Sequence, residues 1–107
     1  SDLTNLNPMQ RVPFLILDDG TVISESVAIC RYLEELQPEP ALMGEGAVGK
    51  AVVEMWQRRM EINFLFHVAQ TFRHSHPAMK EMEVPQVPAW AETNPPHVIR
   101  MIELLDD

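Results

Sequence analysis

The sequence is short of the residues that several functional classes require. It has one cysteine, Cys30, in 107 residues, so no intrachain disulfide can form, which agrees with a reducing compartment. Basic residues are scarce: eight Lys and Arg stand against sixteen Asp and Glu, for a formal charge of -8. Such a balance repels phosphate backbones and anionic lipid surfaces, so neither nucleic acid nor a membrane is an expected partner. Long apolar runs are absent too. Nothing approaches the roughly 18 residues of a membrane span, and "SDLTNLNP" at the start has neither the basic nor the apolar region of a signal peptide. The expectation is a soluble, cytoplasmic protein.

What is present is a globular composition, 46% hydrophobic against 22% charged, in a chain of a length that suits one domain or pieces of two. "VPFLIL", residues 12 to 17, reads as an apolar strand, and "TVIS" as a short partner strand after Asp18-Asp19-Gly20. Asp-Gly tolerates positive φ, which makes this a hairpin. From Ser26 the apolar residues Val27, Ile29, Leu33 and Leu36 recur at helical spacing and stop before Pro38. "QPEPALMGEGAVGK" has linker composition, placing a boundary at residues 38–47 between a first part, 1–37, and a second, 48–107. In the second part the spacing predicts a long helix from about Val48 to His74, whose Met, Trp and Phe stripe reads as core and subunit contact, ended by Pro77. Glu83 to Pro96 reads as irregular. A last helix follows, with Asn94 as N-cap and Pro95 in its first turn.

The chemistry concentrates in residues 11 to 26. Pro13 has no N–H, so the ladder is interrupted and Val12 is left at an edge with backbone groups that an extended peptide could claim. Glu25 and Ser26 fall at a helix start, where N–H groups favour an anion; the Ser26 hydroxyl adds a donor for a carboxylate, and Glu25 suits an adjacent ammonium. Arg11 could hold a second carboxylate. The ligand that fits is small, zwitterionic and peptide-like. Blander readings stand beside this one: Glu25-Ser26 as an ordinary helix start, Arg11 as a solvated side chain, and Cys30 as a packed core thiol. His67, His74 and His76 have no further ligands to complete a metal site, so no metal is expected.

"NPMQRVPFLILDDGTVISESVAICRYLEE" closely resembles the third and fourth strands and third helix of the thioredoxin-like domain of bacterial glutathione transferases. The ordered set is Asn-Pro, Val-Pro, an Asp-Gly hairpin, Glu-Ser, then Ala-Ile and Tyr-Leu. Residues 48–107 resemble, more loosely, the start of that family's all-helical second domain. The resemblance implies an α/β plus all-α fold: the C-terminal part of a thioredoxin-like domain followed by part of a helical domain. It implies that Val12, with a cis bond to Pro13, pairs with the cysteinyl part of glutathione, that Glu25 and Ser26 hold its γ-glutamyl head, and that Arg11 lies near its glycyl end. Glutathione is then the co-substrate, a small hydrophobic electrophile the second substrate, and a homodimer the assembly. Arg59, Asn63 and His67 on the long helix are candidates for the electrophile pocket. Two departures stand out. Gln10 occupies a position where many members have Gly. The family's catalytic Ser, Tyr or Cys lies upstream of anything matched here, so no residue of this sequence is assigned as catalytic, and an internal fragment is expected, lacking the first strand and helix and the C-terminal helices. A non-catalytic interaction module of the same fold is the alternative.

Overall fold

The structure, a computed structural model, describes residues 5–107. The chain divides into two compact units, the first running to Lys50 and the second from Ala51 to Asp107.

In the first unit, β1 (Phe14–Ile16) and β2 (Val22–Ser24) pair antiparallel, with Phe14 opposite Ser24, Leu15 opposite Ile23 and Ile16 opposite Val22. The strand is shorter than the apolar run 12 to 17, because Pro13 has no hydrogen to give to a ladder. The turn closes through Leu17 N–H to Thr21 C=O (2.8 Å) and Gly20 N–H to Leu17 C=O (2.9 Å), with Gly20 at φ 89. Asp19 Oδ1 accepts the Thr21 N–H (2.9 Å). That bond, and a second from the Thr21 side chain, hold the Asp19 carboxyl below its ordinary value of 3.8.

The chain then enters α1 (Ser26–Leu36), whose first turn is closed by Ile29 N–H on Glu25 C=O (3.0 Å). On α1, the Glu34 carboxylate accepts the N–H groups of both Leu42 (3.0 Å) and Met43, tying down the connection that follows. Gly44, at φ 87, is required there: a Cβ would stand 2.5 Å from the Gly49 carbonyl oxygen. Cys30, expected in a core, is exposed and lines a cavity of about 300 Å³ with Leu33, Leu42 and Met43.

The long helix is present but not uniform. α2 (Gly46–Met60) passes through one π-helical turn, Glu61–Leu65, into α3 (Phe66–Ser75). Phe66 N–H bonds to Glu61 C=O across the wider turn, which inserts a residue into the 3.6 period. A 3₁₀ turn at Pro77–Met79 follows. The segment 83–96 is not irregular throughout, because it contains α4 (Pro88–Thr93), started by a proline whose absent N–H costs a first turn nothing. α5 (Pro95–Asp106) completes the unit.

Among the described residues, the buried apolar side chains are Ala91 and Met101, and the buried polar ones are Asn7, His74 and Asn94. The apolar stripe of the long helix is not buried within this chain: Val52, Met55, Leu65, Val68 and Phe72 are all exposed. No helix among the described residues is long and apolar enough to cross a membrane.

Candidate functional site

The hairpin register fixes which residues meet at its open end. Phe14 and Ser24 are the last pair, so Pro13 and Val12 leave one strand at the point where Glu25 and Ser26 leave the other. The Val12-Pro13 bond is cis, and Arg11, Val12, Pro13, Glu25 and Ser26 are all exposed. The five residues singled out in the sequence thus lie on two segments that diverge from one strand pair.

Glu25 is the outlier. Its backbone is at φ 73, ψ 121, a region costly for a residue with a Cβ, of order 1–3 kcal/mol. It holds the N-cap position of α1, yet its side chain makes no capping hydrogen bond. An acidic residue that served only as a helix start would sit in extended backbone and turn its carboxylate to the N–H groups of the first turn. Here the carboxylate is turned to no such use.

Gln10 shares the second left-handed backbone, at φ 54. Its N–H donates to Asn7 C=O (2.8 Å), closing a turn that leads into Arg11-Val12. That conformation explains why glycine suits the position. The sequence reading missed Asn7, although it lies in the Asn-Pro pair. Asn7 is 3% exposed; its Nδ2 donates to Arg11 C=O (2.7 Å) and its Oδ1 accepts the Met9 N–H (3.1 Å). The signal available was that Asn commonly folds its side chain onto the backbone two residues on.

The other three candidates belong to the second unit. Asn63 and His67 line a concavity of about 440 Å³ together with His97, Arg100 and Glu103. Arg59 is not among its lining residues and lies over the Trp56 ring, 4.9 Å from the centroid. His67 is engaged: Asn94 gives its amide hydrogen to Trp90 C=O (2.6 Å), so its Oδ1 accepts from His67 Nδ1 (2.7 Å), and the His97 ring stacks on His67 at 4.4 Å. His74 is tied as well. Its Nδ1 accepts the Val87 N–H (3.0 Å), which places the ring hydrogen on Nε2, 3.0 Å from Glu83, and Arg73 pairs with the same carboxylate at 3.3 Å. Among the described residues no group of three or more His, Cys, Asp or Glu could hold a metal ion.

Residues 1–36 match the family described as glutathione S-transferase, N-terminal domain. A Saccharomyces cerevisiae relative named glutathione S-transferase 2 is 39% identical over 80 residues, 74% of this chain and 34% of its own. A Pseudomonas aeruginosa relative named maleylacetoacetate isomerase is 46% identical over 46 residues, 43% of this chain and 22% of its own. Among solved structures, a glutathione S-transferase of class Gtt2 from Vibrio parahaemolyticus superposes with a TM-score of 0.82 at 37% identity, covering 99% of this chain and 49% of that one. Gtt2 from Saccharomyces cerevisiae gives 0.87 at 31%, covering 98% and 51%. The fold is therefore that of part of a glutathione transferase, a thioredoxin-like hairpin and helix followed by helices. The chain belongs to the glutathione S-transferase family and spans about half the length of these structures.

Proposed function

We propose that residues 1–37 form the glutathione-gripping part of a glutathione transferase, with 38–47 as a linker and 48–107 as part of its helical domain. Val12 would pair by its backbone with the cysteinyl unit, Pro13 would keep that edge open, Glu25 and Ser26 would hold the γ-glutamyl ammonium and carboxylate, and Arg11 would attract the glycyl carboxylate. One observation supports this best. Glu25 keeps a costly backbone conformation while its carboxylate caps nothing, and such strain is retained where a side chain must be aimed.

The activity would be attack of the glutathione thiolate on an electrophilic carbon of a small hydrophobic molecule. The thiol proton goes to a base, and the carbon either loses a leaving group, giving a conjugate, or has its double bond isomerised before the thiolate departs; reduction is the third outcome the thiol allows. The relatives named maleylacetoacetate isomerase lend weight to isomerisation within that set. No residue of this chain is given the role of lowering the thiol pKa. Asn63, His67 and Arg59 are the second unit's candidates for electrophile contact. A homodimer in the cytoplasm is the proposed setting.

Calorimetric titration with reduced glutathione tests the grip. Glu25→Ala and Ser26→Ala should each weaken binding about 10- to 100-fold, the worth of a hydrogen bond to a charged group, with the urea midpoint little changed. Unaltered affinity in both variants would instead favour a non-catalytic module of the same fold.

A further inference from the structure

We infer that Asn7 is a positioning residue for glutathione, acting through the Arg11-Val12 peptide plane; the inference rests on the glutathione-binding reading above. Residues Pro8 to Pro13 are all exposed, so this six-residue segment has little packing of its own to fix its shape. Asn7 is buried beneath it and spends both ends of its amide on it, Nδ2 on Arg11 C=O (2.7 Å) and Oδ1 on Met9 N–H (3.1 Å), while its backbone carbonyl takes the Gln10 N–H (2.8 Å).

The bond to Arg11 matters for geometry more than for energy. A peptide unit is planar, and in a trans unit the C=O and the following N–H point in opposite directions. The Arg11-Val12 bond is not among the cis bonds, which are Val12-Pro13, Glu39-Pro40 and Val84-Pro85. Drawing Arg11 C=O in toward Asn7 therefore turns the Val12 N–H outward. Pro13 has no N–H, so Val12 carries the donor at this edge. Asn7 thus sets the direction of the one backbone donor that an extended ligand would meet, from a position that touches no ligand.

The Asn7→Asp variant isolates this role, since a carboxylate keeps the acceptor for Met9 N–H but loses the donor to Arg11 C=O. Reduced glutathione is titrated calorimetrically into the full chain at pH 8 and pH 5, well below each variant's melting temperature. Asn7→Asp should bind about tenfold more weakly than wild type at pH 8. The gap should close to less than threefold at pH 5, because burial and the facing Arg11 carbonyl oxygen raise the introduced carboxyl above its ordinary range, so that it takes up a proton there and can donate again. Asn7→Ser, too short to reach Arg11, should stay weak at both pH values, and it replaces the first comparison if Asn7→Asp does not fold. Wild-type affinity in either folded variant, or a gap for Asn7→Asp that ignores pH, overturns the inference, and a loss in Glu25→Ala then leaves the glutathione reading standing. If wild type shows no binding, or Glu25→Ala binds as wild type does, the glutathione reading itself fails and this inference with it.

Discussion

The polar residues that stand out in the two units differ in how they are bonded. In the second, the polar side chains near the core satisfy each other: Asn94 joins His67 to Trp90, and His74 joins Glu83 to Val87. In the first, Glu25 stands on a costly backbone with its carboxylate off the helix it precedes, and Gln10 adds a second left-handed residue beside Arg11-Val12. Buried polar groups that answer one another hold a structure together. Strained residues with uncommitted side chains cluster at binding sites. Polar residue types alone would have drawn attention to the histidines of the second unit; their bonding directs it to the first.

The sharpest way to break that contrast is at Asn94, which is fully buried. Asn94→Ala strips the half-buried His67 ring of its Nδ1 partner, leaves the Trp90 carbonyl only the Thr93 hydroxyl, and should cost about 3 kcal/mol, from the lost bonds and the cavity left by a fully buried amide together. Urea unfolding should show the loss, and glutathione affinity of the folded fraction should be unchanged. A weakened affinity with normal stability would move the site into the second unit.

A smaller effect is expected in the first unit, where the cost lies in backbone. Gly44→Ala places a Cβ 2.5 Å from the Gly49 carbonyl oxygen at φ 87 and should destabilise by about 2 kcal/mol, from the left-handed conformation and the displacement together. Thermal melting checks it. A neutral result would mean that the connection after α1 shifts freely.

The smallest effect belongs to the hairpin turn. The folded Asp19 carboxyl lies below its ordinary value of 3.8, so its contribution is in place above that value and is lost as pH falls through the lowered one. Acid titration of stability should therefore show a small extra decline below about pH 3.8 that Asp19→Asn lacks.

Local rules made much of the fold legible. Asp-Gly marked the turn, helical spacing marked α1 from Ser26 to Leu36, and the Pro95 signal marked α5. Tertiary context decided the rest. Val87-Pro88 read as irregular because proline is a breaker in general, although at a first turn it starts a helix, as it does for α4. Asn94 occupies the N-cap position the sequence suggested, but its backbone is helical and its side chain reaches His67 and Trp90. No periodicity reports a partner 27 residues away. The π-helical turn at Glu61–Leu65 is likewise invisible to a pattern that assumes one period throughout. In the candidate site, residue types point to Glu25, while its backbone conformation and uncapped carboxylate are set by the fold around it. The Asn-Pro pair marks a turn at Asn7, but the hydrogen bond of its side chain to a carbonyl four residues on comes only with the folded segment.

The central claim is that glutathione is held by the first unit and not by the polar network of the second. Two-dimensional amide spectra recorded during a titration of reduced glutathione into the full chain test it most directly. The account predicts saturable shifts centred on Val12, Glu25 and Ser26, with the amides of His67, Asn94 and His97 unmoved. Shifts centred on His67 and His97, with those of residues 11 to 26 unchanged, would contradict it.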